Sequence, residues 1–147
     1  MGCRRGERDR VCDNITFGGY VKKSPYEMVK EFHDAFGVTN GDRPEFPPIS
    51  TRELRMDLID EEYNELVDAE NDGDLVAVAD ALADLQYVIN GMALQYGIDL
   101  DACFAEVHAS NMSKLGADGK PIYREDGKVL KGPNYFKPNL EQFVKNV

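Results

Sequence analysis

The stretch from Leu75 to Tyr96 constrains this chain more than any other. It carries only two charges, Asp80 and Asp84, among Ala, Leu, Val, Ile, Met and a few neutral polar residues. Its apolar residues fall on nearly every side of a helical period, so as a helix it belongs at the centre of a bundle or at an oligomer interface. Asp74 can cap its start, and Gly97 marks its end.

The residues before it predict a second helix. Ser50-Thr51-Arg52-Glu53 has the spacing of a capping box. Leu54, Leu58, Ile59, Tyr63, Leu66 and Val67 then form an apolar stripe to about Glu70, and Asn71-Asp72-Gly73 is a stop. So short a link makes the two helices antiparallel neighbours. An earlier helix starts at Ser24-Pro25-Tyr26-Glu27, carries Met28, Val29, Phe32, Ala35 and Phe36 at a helical period, and ends at Gly37. Residues 38–49 read as a loop with Pro44, Pro47 and Pro48 as breakers. A fourth helix begins near Asp99, carries Leu100, Phe104 and Val107, and ends near Lys114.

Beyond Lys114, glycines and prolines crowd the chain. Ile122-Tyr123 and Val129-Leu130 flank Glu125-Asp126-Gly127, the pattern of a small β-hairpin, and a short helix can start near Asn139. The expected fold is therefore all-α: a four-helix-bundle-like body with a partly irregular C-terminal arm. The expected organisation is an N-terminal extension over 1–23, the helical domain over 24–115, and a basic arm of that domain over 116–147.

Acidic residues give the body its chemistry. Glu61, Glu62 and Glu65 share one face of the second helix, where like charges three and four apart repel. Alone they are an ordinary solvated face. Asp80 and Asp84, four apart on the apolar helix, change that reading. A carboxylate in apolar surroundings is costly unless paired, protonated or bound to metal. No Lys or Arg occurs between residues 56 and 113, so a metal ion is the natural partner. Oxygen ligands of this kind select Mg²⁺ or Mn²⁺. Four or five carboxylates on facing helices would hold more than one such ion.

Charge distribution supports cation-mediated anion binding. The net charge is −10, but residues 24–111 alone carry −16, while residues 1–23 and 112–147 each carry +3. The acidic body lacks the basic face that nucleic-acid binding needs. The 147 residues, 42% hydrophobic, suit one globular domain. No uninterrupted apolar run reaches the roughly 18–20 residues of a membrane span. The basic start lacks the apolar stretch of a secretory signal. Cys3, Cys12 and Cys103 form no CxxC pair, which speaks against structural zinc and for a reducing cytoplasm.

Glu62-x-x-Glu65 followed by Asp80-Ala-Leu-Ala-Asp84 resembles the ExxE…ExxD pattern of the MazG-like, all-α nucleoside triphosphate pyrophosphohydrolase superfamily. That superfamily also holds the dimeric dUTPases and phosphoribosyl-ATP pyrophosphohydrolase. Segments 31–37, 83–88, 96–99 and 107–114 are similar to MazG-like members of phages and bacteria. One departure is evident: the family pattern places Glu at position 81, where this chain has Ala81, with Asp80 one residue earlier.

The resemblance implies release of pyrophosphate from a nucleoside triphosphate, with two or more Mg²⁺ or Mn²⁺ ions per site. It implies Glu62, Glu65 and Asp84 as metal ligands, Asp80 as a further one, and Glu61 as a ligand or general base. It makes Asn111 and Lys114 phosphate or sugar contacts, lets Lys131 on the arm close over the polyphosphate, and places Tyr87 and His33 at the pocket wall. From the residues alone, Tyr87 and His33 equally suit packing, and Asn111 and Lys114 suit a helix end. The expected substrates are dGTP, dUTP or other dNTPs, in a bacterial or phage-infected cytoplasm. The expected assembly is a homo-oligomer, dimer or tetramer, without nucleic-acid or membrane partners. Two alternatives stand beside this: phosphoribosyl-ATP hydrolysis, and a non-catalytic helical module that binds metal or nucleotide.

Overall fold

The computed structural model describes residues 22–145, which contain five helices and one isolated antiparallel β-bridge. The N-terminal extension lies almost wholly outside the described residues. Helix α1 (Pro25–Phe36) starts as its sequence dictates. Ser24 Oγ accepts from the Glu27 amide at 3.1 Å, and the Glu27 carboxylate accepts from the Ser24 amide at 2.7 Å. Gly37, at φ 71°, ends the helix in the left-handed region that favours glycine.

Helix α2 (Ile49–Asp72) begins differently from the expected capping box. Its cap is Pro48, whose carbonyl accepts from the Thr51 and Arg52 amides at 3.0 and 3.1 Å, with no side-chain cap. The Pro47-Pro48 pair sets the entry two residues early and takes Ser50 into the first turn. Pro48 has no N–H for an acidic side chain to reach back to. Gly73 then turns the chain, and Asp74 caps α3 (Leu75–Gln95) by accepting from Val76 and Ala77.

Helix α3 is the hub, packing on α2 along its length, on α1, and more lightly on α4 (Leu100–Met112). Its buried face comprises Ala81, Asn90, Gly91, Ala93 and Leu94. Outside that face Leu75, Val76, Leu82 and Ile89 are exposed, as is Phe104 on α4. A single chain therefore leaves much of its most apolar helix uncovered. By length and composition alone the 21-residue α3, with a mean hydropathy of 1.2 over an 18-residue window, would pass as a membrane span. The sequence expectation counted uninterrupted apolar residues, and Asp80 and Asp84 break that run.

The arm after α4 is held by specific bonds. Ser110 Oγ donates to the Phe136 carbonyl at 2.8 Å, Ser113 Oγ accepts from the Phe136 amide at 3.1 Å, and Glu106 accepts from the Asn139 amide at 2.8 Å. The expected hairpin narrows to a turn over 125–127 and the bridge between Tyr123 and Val129. The last helix, α5, spans Glu141–Val144.

Candidate active site

Helices α2 and α3 form an antiparallel pair because Gly73 and Asp74 leave no slack between them. The pairing brings all five predicted acids into one electrostatic neighbourhood. Glu62 is half-buried, whereas Glu61, Glu65, Asp80 and Asp84 are exposed. Burial and the charges of Glu65, Asp84, Glu61 and Asp80, in falling order, push the Glu62 carboxyl above its ordinary value. Contributions from both helices put the acids of α2 and α3 within electrostatic range of Glu62. The apolar setting expected for Asp80 and Asp84 is not found within one chain, because the apolar side of α3 is itself open.

None of the five carboxylates forms an ion pair with a Lys or Arg among the described residues. As they stand, no three Asp, Glu, His or Cys side chains among those residues converge tightly enough to hold a metal ion. The donor set nevertheless fits a hard divalent cation: five oxygen ligands, mutually repelling, with no protein cation to balance them. Ala81, where the family pattern has Glu, is 3% exposed, while Asp80 faces solvent.

The other predicted site residues are placed unevenly. Lys114 Nζ donates to Asn111 Oδ1 at 2.7 Å, so these two meet at the end of α4, with no hydrogen bond linking them to the acids among the described residues. Lys131 lies over the Tyr135 ring, 4.3 Å from its centroid. Tyr87 packs edge-on against Phe32 of α1, with centroids 5.7 Å apart.

His33 is buried and belongs to a polar network that sequence reasoning missed. Its Nδ1 lies 2.6 Å from Asn40 Oδ1, and its Nε2 lies 3.4 Å from an Arg55 guanidinium nitrogen. Asn40 Nδ2 points to Asp34 at 3.4 Å, which fixes the amide's orientation. His33 therefore carries its proton on Nδ1 and accepts from Arg55 at Nε2. Burial, aided by Arg55, lowers the imidazole below its ordinary value against the raising pull of Asn40. Arg55, also buried, donates through Nε to Gln95 Oε1 at 2.5 Å and has no carboxylate partner among the described residues. A Cβ on Gly91 would come within 2.7 Å of the Arg55 guanidinium, so glycine makes room for it. The sequence signals were faint: a glycine inside an apolar helix, and a lone Arg seven residues before Glu62.

Two antiparallel helices, presenting five acids without an ion-pair partner among the described residues, define an all-α, acid-centred class of protein. The family described as phosphoribosyl-ATP pyrophosphohydrolase matches residues 29–111, more than half of the chain. The chain belongs to that family, within the MazG-like all-α NTP pyrophosphohydrolase superfamily. It is also 32% identical over 140 residues to an uncharacterized protein of Acanthamoeba polyphaga mimivirus, a match covering 89% of this chain and 51% of that protein. The chain thus spans about half the length of that curated relative. A crystal structure from Exiguobacterium sp. 255-15, whose proposed activity is that of an NTP pyrophosphohydrolase, is 27% identical. It covers 79% of this chain and 89% of its own, with a TM-score of 0.44.

Proposed function

We propose that the protein hydrolyses a (deoxy)nucleoside triphosphate to the monophosphate and pyrophosphate, using two or more Mg²⁺ or Mn²⁺ ions. The observation that carries this reading is the packing of α2 on α3, which puts Glu61, Glu62, Glu65, Asp80 and Asp84 in one electrostatic neighbourhood with no Lys or Arg ion-paired to them among the described residues. Family membership supports pyrophosphohydrolase chemistry. Glu62, Glu65 and Asp84 would hold the ions, with Asp80 and Glu61 completing the set. Bound divalent cations neutralise polyphosphate charge and make a held water more acidic. Glu61, on the solvent side of α2, is assigned to orient the attacking water and take its proton. Asn111 and Lys114 supply an amide and a cation suited to phosphate or sugar oxygens, and Lys131 extends that role from the arm.

The working unit in this reading is a homo-oligomer, dimer or tetramer, because Leu75, Val76, Leu82, Ile89 and Phe104 are left exposed by one chain. The acidic body suits a cytoplasmic enzyme without nucleic-acid or membrane partners. The candidate substrates are dGTP, dUTP and other dNTPs. Phosphoribosyl-ATP is the second reading, favoured by the description of the matching family.

The test is pyrophosphate release from each dNTP, each NTP and phosphoribosyl-ATP, with Mg²⁺ or Mn²⁺ and with EDTA. Metal-dependent release, abolished by EDTA, is the expected result. Absence of release from every substrate would leave a non-catalytic helical module, with Ala81 the evident reason.

A further inference from the structure

The buried network ends at a cleft of about 400 Å³, lined by Asn40, Asp42, Glu45, Thr51 and Gln95 among others. The cleft lies where the 38–48 loop is stitched to the end of α3. The Gly41 amide donates to the Leu94 carbonyl at 2.9 Å, and the Glu45 amide to the Tyr96 carbonyl at 3.1 Å. A Cβ on Gly41 would fall within 2.7 Å of the Gly97 nitrogen, so only glycine lets the loop come this close.

Two of the lining side chains are amides whose orientation is decided from behind. Asn40 Oδ1 is held by His33, and Gln95 Oε1 is held by Arg55. With both oxygens committed inward, each amide has an NH₂ group left to serve the cleft. Asn40 uses one hydrogen in a long contact to Asp34, and Gln95 uses one toward the Thr39 carbonyl at 3.2 Å. The remaining hydrogens are free to donate to a bound group. Among the described residues Asp42 has no hydrogen-bond partner, whereas Glu45 is paired with Arg43. The cleft therefore offers neutral donors beside one free carboxylate acceptor. That carboxylate repels phosphate, so the cleft suits a neutral group that accepts and donates side by side.

We propose that this cleft binds the base of the nucleotide and selects bases with a lactam edge, a ring carbonyl adjacent to a ring N–H, as in guanine, uracil and thymine. The carbonyl takes the amide donors, and Asp42 takes the ring N–H. Adenine and cytosine would present an amino group to donors and a bare ring nitrogen to a carboxylate. Such mismatches set donor against donor and acceptor against acceptor, and are disfavoured. The placement suits a single bound nucleotide. Gln95 follows Asp84, and Thr51 precedes Glu62, by eleven residues, close to three helical turns, so cleft and acids share a stripe about 16 Å long on both helices. An extended nucleoside triphosphate spans such a distance. Arg55 is a positioning residue here, because it fixes which way the Gln95 amide faces. This inference rests on the proposed nucleotide hydrolysis and deepens it.

The experiment compares dGTP, dUTP, dTTP, dATP and dCTP by kcat/KM with Mn²⁺, and dGMP, dUMP, dAMP and dCMP by calorimetric binding. Wild type is measured beside Gln95→Glu, which keeps an oxygen facing Arg55 and removes the NH₂ group, its bond to the Thr39 carbonyl included. Asn40→Asp does the same from the loop side and serves if Gln95→Glu fails to fold. The expected result is a lactam-base advantage of tenfold or more, reduced by roughly tenfold in either variant. An equal or better signal with the adenine or cytosine nucleotides, or an advantage unchanged in a folded variant, overturns the proposal. Monophosphate binding decides the base preference without turnover. A protein that binds dGMP or dUMP selectively yet releases no pyrophosphate would contradict the hydrolysis and leave the cleft standing.

Discussion

The two ends of the α2–α3 pair are electrostatic opposites. Around Glu62 stand four further acids, none of the five ion-paired with a Lys or Arg among the described residues, and two turns earlier along α2 the Arg55 cation lies buried with no carboxylate partner among those residues. A fold that needed only stability would bring these charges together. Keeping them apart leaves the acids open to metal and engages the cation with neutral partners, His33 and Gln95. One end is mostly exposed and internally repelling; the other is buried and hydrogen-bonded.

Substitutions should therefore act differently at the two ends. The largest effect is expected from Glu62→Ala or Asp84→Ala, each lowering metal-dependent pyrophosphate release by about 100-fold or more. Circular dichroism should show the fold unchanged, since exposed or half-buried acids contribute little to it. Arg55→Met should do the reverse. It strips donors from His33 Nε2 and Gln95 Oε1 inside the bundle and should cost about 2–3 kcal/mol in urea denaturation.

The next contrast is with pH. The folded-state pKa of His33 is lowered, so the unfolded chain takes up a proton more readily than the folded one. The contribution of His33 to stability is complete above the ordinary imidazole value near 6.5 and is lost as pH falls from there through the folded value. The urea midpoint should decline across that window, and His33→Gln should flatten the decline. A midpoint that rises on acidification through the window would contradict the neutral assignment.

The smallest effect is at the acidic end again. Glu65→Gln removes one like charge and should stabilise the metal-free protein by about 0.3–0.5 kcal/mol. Added Mn²⁺ should raise the melting temperature of wild type more than that of the variant.

Local rules made much of the fold legible. Ser24, Asp74 and Asp99 cap helices where their positions predict, because each side chain needs only the amides two or three residues ahead. The Ser50 capping box misled because two prolines outside the motif moved the helix start. A short link was enough to pair α2 with α3, but no three of the five acids on them converge tightly enough to hold a metal ion among the described residues. The polar network was hidden because its members come from α1, α2, α3 and the 38–48 loop, and no sequence period connects them. Exposure of Asp80 and Asp84 escaped prediction for a related reason: the apolar residues around them on α3 are left uncovered in one chain.

Direct counting of bound Mn²⁺ by electron paramagnetic resonance tests the central claim, that the unpaired acids form a metal centre. Wild type, Glu62→Ala, Asp84→Ala and Arg55→Met would be titrated side by side. Two or more ions per chain are expected in wild type and in folded Arg55→Met, with loss of tight binding in both acid variants. Equal Mn²⁺ binding by wild type and the acid variants, or none by wild type, would contradict it.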